Sequence, residues 1–350
     1  MTTLDYEAAD ALLTGLVERY SPSTHERSAV AYLVQQMAEL GLQSEIDGAG
    51  NAVGIIGQGE RTILLLGHID TVAGFIPVQR NGDCLYGRGT VDAKGPLATF
   101  VAAAASVGPQ PDKRIVVVGA VEEESATSKG ARYLLDRLSP EAVVIGEPSQ
   151  WDCVTVGYKG RLLVDYRLQR EIGHTAGPEI SVCEEAFAFW EKVQAYATIY
   201  NDGKRRMFDR LSPSLRRMHS EAGGFVETAE MLLGFRLPPD IDIDALQAKL
   251  TALGGAADVQ FRGREQAYHA AKSTHLARAF VRAIDAEGGR IQFKLKSGTS
   301  DMNVVAPVWQ CPILAYGPGD SALDHTPHEH VNLGEYHRAI AVLARVLETV

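Results

Sequence analysis

Apolar residues first recur at helical spacing, from Leu12 to Tyr20 and again from Ser28 to Leu40, the first run closed by "SPS" and the second by Gly41. Then the period shortens. "AVGIIG", "TILLLGHI" and "IVVVGAV" are short β-branched runs bounded by Gly and polar residues, and Pro96 to Ala105 is an apolar helix between two of them. This alternation predicts an α/β sheet with helices on both faces. From about Gly160 the pattern changes: "RLLVDYRLQ" alternates like a half-exposed strand, and a long helix follows from about Ser181 to Tyr200. "VETAEMLLGFRLP", a helix from Asp244 to Leu253 and "ADVQFRGREQ" come next. That order predicts an antiparallel sheet with helices on one side, an α+β insert. After Ala270 the first style returns, with a helix from Ser273 to Glu287, the strand "RIQFKLK", a Gly/Ser/Thr/Asp turn, "PILAYG" and a last helix from Gly334. The chain therefore reads as one discontinuous domain, 1–159 and 271–350, interrupted by a smaller one, 160–270.

Length and composition fit this picture without narrowing it. At 350 residues there is chain for two domains. The longest apolar runs fall short of the roughly 18 residues of a membrane span. "MTTLDYEAADALL" reads as a first helix and not as a secretory signal. Cys84, Cys153, Cys183 and Cys311 are scattered, with no two-residue spacing, as expected of free thiols in a reducing cytosol. A net charge of -10 argues against a general nucleic-acid role. One stretch departs from that average: "KRRMFDRLSPSLRR" carries Lys204, Arg205, Arg206, Arg210, Arg216 and Arg217 against the single acid Asp209.

The chemistry gathers where strands should end. "LLLGHIDTV", residues 64 to 72, carries His68 and Asp70 two apart, so both side chains can face one site beyond the sheet. Three further stretches put acids in such places: "GRGTVDAKG" with Asp92, "VVVGAVEEES" with Glu122, Glu123 and Glu124, and "AVVIGEPS" with Glu147. A fifth, "GPGDSALDHTPHEH", supplies His325, His328 and His330. Singly, these read as a capped loop, a solvated helix start or a polar surface loop. Together they point to a dinuclear metal centre, because unpaired charges at an apolar sheet edge are costly and metal ions would satisfy them.

The order "GHIDTV", "GRGTVDAKG", an acidic pair after a strand, "GEPS" and a late His before a Pro and an acid resembles the M20 family of zinc-dependent amidohydrolases over nearly the whole chain. The resemblance implies a zinc-peptidase-like catalytic domain with an inserted lid and dimerisation domain. It also implies two zinc ions per subunit, or cobalt in their place. His68 and Glu147 would hold one ion, His325 and the second glutamate of the acidic pair the other, and Asp92 would bridge them. Asp70 would orient His68. The family pattern Asp-Glu-Glu fits "VEEE" with Glu122 in the Asp place, Glu123 as general base and Glu124 as ligand. A shift by one would make Glu122 the base and Glu123 the ligand. "GHTAGPE" resembles the lid motif whose histidine, here His174, is donated across a dimer interface to the substrate carbonyl oxygen. Arg236 in "GFRLPP" resembles a contact to a substrate carboxylate, and Gly298, Thr299 and Ser300 in "SGTSDMN" resemble the substrate loop.

The implied reaction is amide hydrolysis, with Glu123 taking a proton from the attacking water and returning it to the leaving amine. The lid would close about hinges near Gly160 and Ala270. "GAVEEESATSKGAR", with "GEPS" and "HTPHEH", resembles the branch of the family that releases lysine or ornithine from the acidic amino-acid carrier protein LysW, ending carrier-dependent lysine and arginine biosynthesis. Lys204 to Arg217 would then be a docking patch for that carrier, or else a solvated helix and loop. Two other readings stay open: a deacylase of acetylornithine or succinyl-diaminopimelate, and a non-catalytic metal-binding scaffold subunit. The expected partners are the carrier and a second copy of the chain, with no nucleic acid and no membrane, in the cytoplasm.

Overall fold

The β-branched runs become the strands of a mixed sheet. In the computed structural model, which describes residues 6–174, 177 and 179–350, Arg61–His68 lies parallel to Lys113–Ala120 on one side and to Ala142–Gly146 on the other. Ala52–Gly57 and Gln43–Ile46 extend the sheet antiparallel beyond Lys113–Ala120, and Ile313–Tyr316 and Cys153–Tyr158 extend it beyond Ala142–Gly146. The central strands are buried almost end to end, which is why they read as continuous apolar runs. Helices Tyr6–Val17, Lys94–Val107 and Leu333–Thr349 pack on one another, and Lys94–Val107 lies along Arg61–His68.

Three glycines let that helix come close. Gly67 stands across from Gly119 and from Gly146 on the neighbouring strands. A Cβ at Gly67 or at Gly119 would lie 3.2 Å from Leu97 of that helix, and one at Gly146 would lie 3.0 Å from its Phe100. The bare backbone at the strand ends is thus a packing requirement.

The chain separates into two units. One comprises the residues up to Gly157 with Ala270–Leu295 and Ser300–Val350; the other comprises Tyr158–His269 with Lys296–Thr299. The second unit has its own core. Leu162, Val164, Tyr166 and Leu168 alternate inward from the strand Gly160–Glu171, and Ala229, Met231, Leu233, Phe235 and Leu237 do so from Val226–Leu237. Against them pack Val182, Ala186, Phe189, Val193 and Ala197 of helix Val182–Tyr200, and Ile243, Leu246 and Leu250 of helix Ile243–Gly254. Ser181 and Glu184 close a capping box at the start of the longer helix. The α/β and α+β classes expected of the two parts are both found.

Two local expectations change. The basic stretch is neither helix nor plain loop, since its second half is the strand Ser212–Gly223, the edge of a four-stranded sheet running Ser212–Gly223, Val226–Leu237, Gly160–Glu171, Asp258–Glu265. The turn at "SGTSDMN" also opens a helix, Asp301–Trp309, with Ser300 and Asn303 forming its capping box. Among the described residues no helix is long and apolar enough to cross a membrane, and all four cysteines are unpaired.

Candidate metal centre

Strand register brings the first groups together. His68 lies across from Ala120, and Gly67 across from Gly146, so His68, the acids following Ala120 and Glu147 leave the sheet side by side. Asp92 arrives from the loop before helix Lys94–Val107, and its peptide bond to Ala93 is cis. His68 Nε2 is 3.1 Å from Asp92 Oδ1. His325 Nε2 lies 3.0 Å from the other Asp92 oxygen and 2.9 Å from Glu124 Oε1. One ligand atom from each of His68, Asp92 and Glu124 can be chosen so that all lie within 4.8 Å of one another.

Asp70 organises the surroundings. Its buried carboxylate accepts from Ser23 Oγ at 2.7 Å and from the amides of Glu123 and Glu124, each at 3.0 Å. His68 Nδ1 is 2.9 Å from the Asp70 carbonyl oxygen and 3.4 Å from its carboxylate. Asp70 therefore holds both the imidazole and the turn that carries the acidic pair. Burial alone would raise its carboxyl, but the bonds from His68, Ser23 and the Glu123 amide outweigh that and keep it below the usual carboxylate range.

The neighbouring carboxyls behave oppositely. Burial pushes Glu123 well up, against the pull of His68, and the charges of Asp301, Glu147 and Glu124 add to the rise. Glu124 rises through burial and Asp92, partly offset by His325 and His68. His325 is raised to about 10 by its bonds to Asp92 and Glu124. Glu122 turns elsewhere, to Lys129 at 3.3 Å and the Thr127 hydroxyl at 2.9 Å. Six acids, Asp70, Asp92, Glu123, Glu124, Glu147 and Asp301, thus share this region with two imidazoles. A surplus of buried negative charge among imidazole and carboxylate donors fits divalent metal ions.

Several contributors were not apparent from sequence. Ser23 sits far from the ligand motifs in the chain, and Asp301 stands in "SGTSDMN", which reads as a substrate loop and not as part of this centre. Glu329 is fully buried and binds Arg88 and the loop of Asp92; its one visible signal is an acid between two histidines in "HTPHEH".

The second unit holds the remaining candidates. Arg236 Nη1 donates to Thr299 Oγ1 at 2.8 Å, and that hydroxyl donates to the Lys159 carbonyl at 3.0 Å. Lys159, also unnoticed in the sequence, donates through Nζ to Ser212 Oγ at 3.1 Å and to the carbonyls of Met207 and Arg210. Burial, with Arg236 nearby, lowers its pKa to about 8. Gly298 adjoins Thr299, whereas Ser300 caps helix Asp301–Trp309 in the first unit. His174 lines a cavity of about 450 Å³ with Arg170, Glu179, Ser181 and Glu227; Thr175, Ala176 and Pro178 of its motif lie outside the described residues. In the basic stretch, Lys204 is paired with Asp240 at 2.8 Å and Arg206 with Asp209 at 2.7 Å. Arg205, Arg210, Arg216 and Arg217 are exposed, with no acidic partner among the described residues.

Residues 64–349 match the model of Peptidase family M20/M25/M40. The chain belongs to this family. It is a hydrolase, and full-length relatives surround it. The [LysW]-lysine hydrolase of Deinococcus radiodurans is 44% identical over 99% of this chain and 98% of its own. The putative [LysW]-lysine/[LysW]-ornithine hydrolase of Thermococcus kodakarensis is 39% identical over 96% and 90%. Among solved M20 structures, the metallo-carboxypeptidase Sso-CP2 from Sulfolobus solfataricus superposes with a TM-score of 0.80 at 16% identity, covering 97% of this chain and 98% of that one. The dinuclear metal binding peptidase YXEP of Bacillus subtilis gives 0.73 at 12% identity, covering 99% of each chain. Both likenesses concern the fold.

Proposed function

We propose that this M20 hydrolase cleaves the amide bond linking lysine, ornithine or both to the C-terminal glutamate of the carrier protein LysW. The chemistry rests on one observation, the convergence of His68, Asp92, Glu124 and His325 beside an excess of buried acids. The choice of substrate rests on full-length likeness to [LysW]-lysine hydrolase. The site would hold two zinc ions, or cobalt, with His68, Asp92 and Glu147 around one and Asp92, Glu124 and His325 around the other. When bound, such ions lower the pKa of water toward neutrality and polarise a carbonyl. Glu123, kept basic by burial and its acidic neighbours, takes the proton of the attacking water and passes it to the leaving amine. His174, given across a dimer interface, would donate to the developing oxyanion.

Arg236 would contact a substrate carboxylate, and Gly298, Thr299 and Ser300 would form the substrate loop; the bond from Arg236 to Thr299 supports treating those two residues as one group. The open acceptor for the carrier is the set Arg205, Arg210, Arg216 and Arg217, since Lys204 and Arg206 are already neutralised locally. The exposed edge strand Ser212–Gly223 is suited to pairing with a second copy of the chain. The free thiols agree with a cytoplasmic setting.

Amine release from LysW-linked lysine, LysW-linked ornithine, acetylornithine and succinyl-diaminopimelate, with added zinc and after chelation, tests the reading. Metal-dependent release from the carrier-linked substrates alone is expected. Release from the small acyl substrates alone would replace it with the deacylase reading, and stoichiometric metal binding without any hydrolysis would replace it with the scaffold reading.

A further inference from the structure

Glu329 has no place among the ligands, yet it is among the most completely buried charged residues of the chain. Its side chain has no solvent exposure, and each of its oxygens is committed. Oε2 accepts from Arg88 Nη1 at 2.7 Å. Oε1 accepts from the backbone amides of Gly89 at 3.0 Å, Val91 at 2.9 Å and Asp92 at 3.0 Å. Arg88 in turn donates through Nε to the Gly74 carbonyl at 2.9 Å.

The ladder explains how the two meet. Strand His330–Asn332 pairs with Cys84–Tyr86 in the register His330 to Tyr86, so Glu329 arrives beside Gly87, whose amide donates to the Glu329 carbonyl at 3.3 Å. Four residues before Glu329 is His325, in the left-handed region at φ 61°. Three residues past Arg88 is Val91, and then Asp92. One carboxylate is therefore bound to the loop carrying Asp92 while standing on the loop carrying His325, 237 residues away along the chain.

We infer that Glu329 is the positioning residue for Asp92, and that with Arg88 it fixes the distance between Asp92 and His325. The inference rests on reading those two residues as metal ligands. A carboxylate shared by two ions must present both oxygens in fixed directions, and a loop containing Gly87 and Gly89 does not do so unaided. Charge-assisted bonds to the amides of Gly89, Val91 and Asp92 supply the constraint from outside the ligand set.

Cobalt titration of the metal-stripped full-length protein, followed by calorimetry and visible absorption, tests this with wild type, Glu329→Gln and Arg88→Lys. Glu329→Gln is expected to bind Co²⁺ about 10- to 100-fold more weakly, with an altered absorption band. Arg88→Lys, which keeps the charge but loses the fork, is expected to fall between it and wild type. A residue serving only the fold would lower the melting temperature of the metal-free protein while leaving cobalt affinity and spectrum as in wild type, and that result would overturn the inference. Should Glu329→Gln fail to fold, Arg88→Lys decides by the same two readouts. Absence of cobalt binding in wild type would remove the metal reading itself, and this inference with it.

Discussion

At the scale of single residues, Asp70 shows how much the site depends on groups that need not touch substrate. One carboxylate bonds the Ser23 hydroxyl and two consecutive amides and lies against His68, so its charge is what the turn of Glu123 and Glu124 is built around. Asp70→Asn keeps the shape but turns an amide donor toward donors. Metal affinity is expected to fall about 10- to 100-fold, measured by titration of the stripped protein. Lys159 gives a residue-level pH dependence. Its folded pKa is lowered to about 8 by burial and Arg236, against about 10.4 unfolded. Between those values the unfolded chain binds the extra proton, so the stability of the wild type should rise with pH from about 8 to about 10. Melting temperatures of wild type and Lys159→Met across that window check it: the variant should lack this rise. Of the candidate metal ligands and base, His68, Glu123, Glu124 and Glu147 stand out in the sequence because each ends or follows an apolar strand, whereas Asp92 and His325 lie on loops. Arg88 and Glu329 lie inside the quoted "GRGTVDAKG" and "HTPHEH", but their roles, like that of Lys159, were not legible, since each acts on backbone groups or on partners remote in sequence.

At the scale of elements, the legible parts were those whose burial has a period. Strands Gly160–Glu171 and Val226–Leu237 alternate into the second core, and helix Val182–Tyr200 buries every third or fourth residue, so periodicity found them. Strand Ser212–Gly223 escaped because it lies at the sheet edge with nearly every residue exposed, and its polar sequence carries no alternation. Helix Asp301–Trp309 escaped for a related reason: it is apolar along most of its length, and its cap, Ser300, was read for substrate chemistry. The glycine row across the central strands makes a stability test. In Gly119→Ala the new methyl would meet Leu33 at 2.8 Å, and a loss of about 1–3 kcal/mol is expected in denaturant unfolding, as for other overpacked cores.

For the whole molecule, the sign of the net charge matters. Under the proposed function, a chain at -10 would need a local field of the opposite sign to dock an acidic carrier, and the arginines of the second unit without an acidic partner are where the described residues offer one. Replacing Arg205, Arg216 and Arg217 together by Ala is expected to raise KM for carrier-linked substrate, to weaken its salt dependence and to leave kcat nearly unchanged. Lys204→Met should do much less, its charge being matched by Asp240. Steady-state kinetics at several ionic strengths separates the two. The central claim, that Glu123 is the base of a metal-dependent amide hydrolysis, is tested most directly by measuring metal content and lysine release together in Glu123→Gln. The expected result is a metal complement equal to that of wild type with turnover lower by about 10²- to 10⁴-fold. Turnover within a few-fold of wild type would contradict the claim, and so would loss of metal in step with loss of activity, which would make Glu123 a ligand instead.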